Sequence, residues 1–165
     1  MRTTVLGLGN LLLSDEGVGV RVVEAAEAEL GDRPGVSFLD GGTSTMELLD
    51  QLVGCEALIV VDALRGTEPP GTTLRLEGSE LAAFFQRTRL SPHQLGLCDL
   101  LAALDLLDAR PPELVLIGIV PGSLAHGIEL TPAVAAAVGP ALGLVAAELE
   151  RLGHRPLATS AARAA

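Results

Sequence analysis

Glu16, Asp62 and His93 are the residues of this chain whose types and places best suit them for chemistry. Glu16 follows the turn that ends the first apolar run, Asp62 closes a later run, and His93 lies in the opening turn of a helix-periodic segment. Two carboxylates and an imidazole make a mixed oxygen and nitrogen donor set, suited to a borderline divalent metal and too hard for copper(I) or an iron–sulfur cluster. The start of a helix also favours the neutral imidazole, which is the ligand form. Each residue has an ordinary reading as well: Glu16 complements a helix dipole, Asp62 forms a turn, and His93 is a polar residue in a first helical turn. Only their joint placement favours a site. Asn10, the chain's only asparagine, and Asp40 join the group because they too follow apolar runs. Asn10 either holds its turn through side-chain hydrogen bonds to nearby backbone or contacts a substrate.

The elements that bring these residues together are legible in the hydrophobic periodicity. Thr3 to Leu8, Val36 to Leu39, Ala57 to Val61 and Leu114 to Ile119 read as strands, the later two continuous enough to be buried on both faces. Helical spacing places helices over Gly17 to Leu30, Ser44 to Val53, Ser79 to about Gln86, and Pro132 to Leu152. Ser91-Pro92-His93-Gln94 reads as a capping box opening a further helix, which runs through Leu107 and stops before Pro111-Pro112. Thr72 to Glu77 alternates as an edge strand and follows a short Pro-Pro-Gly connection, so it is expected to be antiparallel. Together these predict a three-layer α/β/α sandwich around a mostly parallel, mixed five-stranded sheet with one antiparallel edge strand. Residues 1–152 form the single domain and 153–165 a flexible tail. In such a sheet ligands sit beyond the carboxyl ends of the strands, at the point where successive crossovers take opposite faces. If the first and third strands are neighbours, Glu16 and Asp62 face one another across that crevice and His93 completes the group.

Composition narrows the field. At 165 residues the chain is long enough for a self-sufficient core. A net charge of -10, with all eleven basic residues scattered arginines, argues against a nucleic-acid partner. Three Phe, with no Trp or Tyr, offer no stacking platform. Gly7-x-Gly9 has Leu12 where a dinucleotide fingerprint needs its third glycine, and no Gly-Lys-Ser/Thr phosphate loop occurs. Met46 occupies the place of the second glycine of a nucleophile elbow around Ser44, and there is no His-Glu-x-x-His helix. Cys55 and Cys98 form no Cys-x-x-Cys pair and read as two buried free thiols. No secretory signal is evident, and the apolar stretch Ala133 to Ala147 falls short of the ~20 residues of a membrane span. The expected location is cytoplasmic, with no membrane partner. His126 and His154 are expected on the solvated surface.

The motifs in order resemble those of the hydrogenase maturation endopeptidases. The resemblance rests on Gly7-x-Gly9-Asn10 with Leu12 and Asp15-Glu16-Gly17-x-Gly19, then Asp40-Gly41-Gly42-Thr43 with Glu47-Leu48-Leu49, and Asp62 after its apolar run. It continues with Ser91-x-His93, Gly96-Leu97-x-Asp99-Leu100-Leu101, Ile117-Gly118 with Pro121, and Gly127-x-Glu129-Leu130-Thr131-Pro132. The resemblance implies a metal-dependent or metal-sensing endopeptidase, with carboxylate chemistry of the aspartyl-protease kind. Its substrate would be the large-subunit precursor of a nickel-iron hydrogenase, which loses a C-terminal extension once nickel is inserted. By position, the family's metal-contacting trio falls on Glu16, Asp62 and His93, with Glu16 and Asp62 as the catalytic carboxylates. Nickel would arrive with the precursor rather than remain bound. Asn10 and the loop Asp40, Gly41, Gly42 and Thr43 would recognise substrate. Thr45 stands where many members carry glycine and Val120 where a polar residue often precedes the proline, differences that bear on which hydrogenase is processed. A non-catalytic assembly chaperone that shields the nickel-loaded precursor is the alternative. A small-anion site at the glycine turn ranks last, because Asp15 and Glu16 would repel the anion.

Overall fold

The computed structural model describes residues 1–31, 33–87 and 92–155, the side chains of Arg87 and His93 excepted. Five strands, Thr3–Leu8 (β1), Val36–Gly42 (β2), Ala57–Ala63 (β3), Thr73–Glu77 (β4) and Glu113–Ile119 (β5), form one sheet in the order β2-β1-β3-β5-β4. All neighbouring pairs are parallel except β4 and β5. The edge strand anticipated from the alternation of Thr72 to Glu77 is therefore β4, and it is antiparallel. Its short connection from β3 leaves no room for the crossover that a parallel strand requires.

Helices Val18–Leu30 (α1), Leu49–Leu52 (α2), Gly78–Arg87 (α3), Pro92–Leu106 (α4) and Pro132–Arg151 (α5) cover the two faces. Alternation along the strands sorts the core by side-chain shape. Val5, Ile59, Val61, Val115, Ile117 and Ile119 meet α1 and α5 in a largely β-branched layer. Leu6, Leu8, Leu58 and Leu116 meet Leu97, Leu100, Leu101 and Leu104 of α4 in a leucine layer. The leucines of α4 recur at the spacing that lines one helix face, which is why that segment docks as a helix. The segment expected as one helix over Ser44 to Val53 is a 3-10 turn, Thr45–Leu48, followed by α2. Ser91, the first half of the expected capping box, lies outside the described residues.

By length and composition, α5 is apolar enough to cross a bilayer, contrary to the shorter stretch read from the sequence. Its Val134, Ala137, Ala141, Val145 and Leu149 are buried against the sheet, however, as in a core helix. Near its end, Glu148 accepts hydrogen bonds from Arg75 of β4 and from Arg151 Nε, the latter at 2.8 Å. Burial pushes this carboxyl up, but the two guanidinium groups outweigh it and hold Glu148 below the usual range. The edge strand is thereby tied to the helix.

One expectation at the chain end is overturned. His154, read as solvated surface, is only 7% exposed. Its Nδ1 lies 3.1 Å from the Pro34 carbonyl and its Nε2 lies 2.7 Å from Thr3 Oγ1, while its own carbonyl accepts from Arg33 at 2.8 Å. A carbonyl only accepts, so Nδ1 donates to Pro34. His126 is exposed, as expected. Residues 156–165, the remainder of the expected tail, lie outside the described residues.

Candidate functional site

The carboxyl ends of β1 and β3 lie side by side, as the crevice requires. The turn Ser14–Gly17 and the start of α1 then fold directly over them, and glycine makes this possible. Gly9 has a φ of +137°, and a Cβ there would stand 1.8 Å from the Glu16 carbonyl oxygen. A Cβ at Gly19 would stand 2.2 Å from the Val61 carbonyl oxygen, on the residue before Asp62. The glycines that resemble a damaged nucleotide fingerprint thus serve backbone-to-backbone contact. They bring the Glu16 turn against the end of β3.

Glu16 is 9% exposed and Asp62 is fully buried. Asp62 Oδ1 accepts the Ala63 N–H at 2.8 Å, and Oδ2 accepts from Gln94 Nε2 at 3.0 Å. Since Gln94 follows His93 in the first turn of α4, this bond draws the start of that helix to the end of β3. The sequence-predicted His93 is therefore beside Asp62 by its place in the chain, while its side chain lies outside the described ones. Among the described residues, no group of three His, Cys, Asp or Glu is poised to hold a metal.

The other predicted residues have local roles that geometry explains. Asn10 Oδ1 accepts the Leu12 N–H at 2.9 Å, so this side chain holds its own turn, one of the two roles open from sequence. The register between β1 and β2 jumps from Gly7 opposite Asp40 to Leu8 opposite Gly42, leaving Gly41 as an extra residue. Asp40 Oδ1 accepts the Gly42 N–H at 2.8 Å across this bulge. Bulges re-aim the chain at the rim of a sheet. Asp40 and Thr43 remain exposed at the end of β2, the strand beside β1.

Two residues at the site carry roles that sequence reading missed. Gln94, read as a cap, is buried with its amide on Asp62. Asp15, read only as half of an acidic pair, is fully buried and organises the opposite wall. Its Oδ2 accepts from Gly122 N at 2.8 Å, Ser123 N at 2.9 Å and Thr131 Oγ1 at 2.8 Å, and its Oδ1 accepts from Thr131 N at 2.7 Å. Burial pushes the Asp15 carboxyl up, but these four donors outweigh it and hold the group below the usual carboxylate range. The loop so gathered also pairs Gly127 with Leu13, two residues before Asp15. Asp15 is thus spent on holding this loop.

Away from this crevice, a cavity of about 390 Å³ opens between α3, α4 and β5, lined by Leu81, Phe85, Cys98 and Leu101 among others. Cys98 is half-buried rather than buried. Burial, then the charge of Asp99, pushes its thiol up, so it is not an activated nucleophile.

Comparison with known proteins agrees with this fold. The family model for hydrogenase maturation protease matches residues 20–148. The hydrogenase 2 maturation protease of Escherichia coli is 46% identical over 154 residues, covering 93% of each chain. The solved structure of the hydrogenase maturating endopeptidase HybD from E. coli superposes with a TM-score of 0.85 at 44% identity, over 94% of this chain and 96% of that one. The [NiFe] hydrogenase maturation protease HybD from Thermococcus kodakarensis superposes with a TM-score of 0.79 at 30% identity, over 90% and 99%.

Proposed function

Because this chain belongs to the hydrogenase maturation protease family, we infer that it is an endopeptidase that removes the C-terminal extension of a nickel-iron hydrogenase large-subunit precursor once nickel is in place. It is a hydrolase, and the chaperone reading loses its support, since the E. coli relative and its solved structure are named as a protease and an endopeptidase. The observation that carries the mechanism is the crevice between the ends of β1 and β3, where the Glu16 turn folds against the end of β3 and Asp62 is bonded to Gln94 in the opening turn of α4.

In this reading Glu16, Asp62 and His93 meet the nickel that the precursor carries, and the two oxygen donors and one nitrogen donor suit such an ion. Nickel here is part of the substrate. Docking it against the trio sets the scissile peptide beside a water held by a carboxylate. The carboxylate takes a proton as the water oxygen adds to the peptide carbonyl carbon. It then returns that proton to the leaving nitrogen as the C–N bond breaks. Asn10 and the segment Asp40, Gly41, Gly42 and Thr43, exposed at Asp40 and Thr43, border the same end of the sheet and recognise the precursor around the cleavage site. We place this activity in the cytoplasm.

Asp62→Asn and His93→Ala test the assignment. Both are expected to remain folded by circular dichroism and to release no peptide from nickel-loaded precursor in intact-mass spectrometry. Full cleavage by either variant would remove that residue from the mechanism.

A further inference from the structure

Gln94 has no part in the mechanism above, yet it is 3% exposed and spends its amide on the buried carboxylate of the site. Its Nε2 donates to Asp62 Oδ2 at 3.0 Å and to the Ala63 carbonyl oxygen at 3.1 Å. Two acceptors flank this atom, so only the NH2 end of the amide fits there; the reversed amide would set oxygen against two oxygens. The Ala63 N–H meets the other carboxylate oxygen at 2.8 Å. Each oxygen of Asp62 therefore faces a donor. The terminal torsion of an aspartate is broad, and a single donor leaves the carboxylate plane free to turn about that bond. The second donor removes this freedom. By also binding the Ala63 carbonyl, the Gln94 amide is itself fixed to the backbone of β3, so the plane it imposes on Asp62 follows the sheet.

We propose that Gln94 is the positioning residue of the active site, holding the Asp62 carboxylate in one plane for the precursor. It rests on the reading that Asp62 acts in cleavage of that precursor. Glutamine suits this task better than glutamate, because an amide keeps its donor protons at every pH at which the protein is folded. It also suits it better than a shorter amide, since the reach from α4 to β3 is already taken up by the two bonds observed. His93 and Gln94 are consecutive, so one helical turn supplies a group for the nickel and the group that orients a second. A shift of α4 moves both together.

The test uses the full chain as Gln94→Leu and Gln94→Asn, with nickel-loaded large-subunit precursor as substrate and folding followed by circular dichroism. Gln94→Leu is expected to lower kcat by about 10- to 100-fold, the usual cost of losing an orienting partner, and to leave KM within about twofold of wild type. Gln94→Asn keeps the amide one methylene short of Asp62, so it is expected to stay folded and to lose kcat to a similar extent. Should Gln94→Leu fail to fold, Gln94→Asn decides. A kcat equal to wild type in either folded variant, a loss carried by KM with kcat unchanged, or activity lost only in step with folding would each overturn the assignment. Wild-type protein that leaves the nickel-loaded precursor uncut would instead overturn the reading beneath it.

Discussion

Replacing Asp15 by alanine removes the single acceptor group for four donors, two of them on the same residue. The carboxylate takes the N–H groups of Gly122, Ser123 and Thr131 and the hydroxyl of Thr131, all between 2.7 and 2.9 Å. Hydrogen bonds to a charged group contribute about 1.5–3 kcal/mol each, but these four share one acceptor and their donors regain water when the loop loosens. A loss of about 3–5 kcal/mol follows for Asp15→Ala, a large part of the ~5–15 kcal/mol of a typical domain. Asparagine can offer one oxygen only. Placed at Oδ2 it keeps three donors, and its NH2 then faces the Thr131 N–H, so Asp15→Asn is expected to cost about 2–3 kcal/mol. Urea unfolding followed by circular dichroism reads both. The pH dependence gives the sign independently: the folded group titrates below its ordinary value of 3.8, so its contribution is complete above that pH. It is lost as pH falls through the lower folded value, and Asp15→Asn should therefore flatten the acid limb of the stability curve. An Asp15→Ala protein within about 1 kcal/mol of wild type, with an unchanged acid limb, would refute this account of the loop.

Other changes separate the scaffold from the chemistry. Gly9→Ala forces a Cβ into the Glu16 carbonyl at a φ that alanine avoids, and is expected to destabilise by at least about 3 kcal/mol and to abolish processing. Wild-type thermal stability in this variant would contradict the close approach of the two turns. His154→Ala leaves the Thr3 hydroxyl and the Pro34 carbonyl without their partner and should cost about 1–3 kcal/mol, read as a lower Tm, with precursor cleavage at 25 °C unchanged. A cleavage defect in the folded variant would link that end of the sheet to the site. Asp62→Asn, offered above as a test of chemistry, also meets two donors with one oxygen, so a Tm a few degrees lower accompanies its loss of activity. A wild-type Tm in that variant would mean that the Gln94 amide turns over to accommodate it.

The strands were legible because their signals are local: apolar runs bounded by glycine and proline, and one alternating segment after a short connection, while the pairing of β1 with β3 entered only as a condition. The placing of the Glu16 turn after β1 and of Asp62 near the carboxyl end of β3 followed from the same logic. What escaped depends on contacts between distant parts of the chain. Asp15 and Glu16 are adjacent acids, and what distinguishes them is a set of donors that arrives from residues 122, 123 and 131. Gln94 fits a capping signature because its neighbours do, while its amide is spent on a carboxylate 32 positions earlier. His154 looked like part of a frayed end, and its partner Thr3 is 151 positions away at the other terminus. The bulge at Gly41 is invisible for a related reason: register belongs to a pair of strands, and β2 alone carries no mark of where β1 will sit.

The claim at the centre of this account is that the crevice cuts only a precursor whose nickel site is filled. Incubating the protein with nickel-loaded and nickel-free large-subunit precursor, and weighing the products by intact-mass spectrometry, addresses it directly. Release of the C-terminal peptide from the loaded precursor alone is the predicted result, and equal release from both would contradict it.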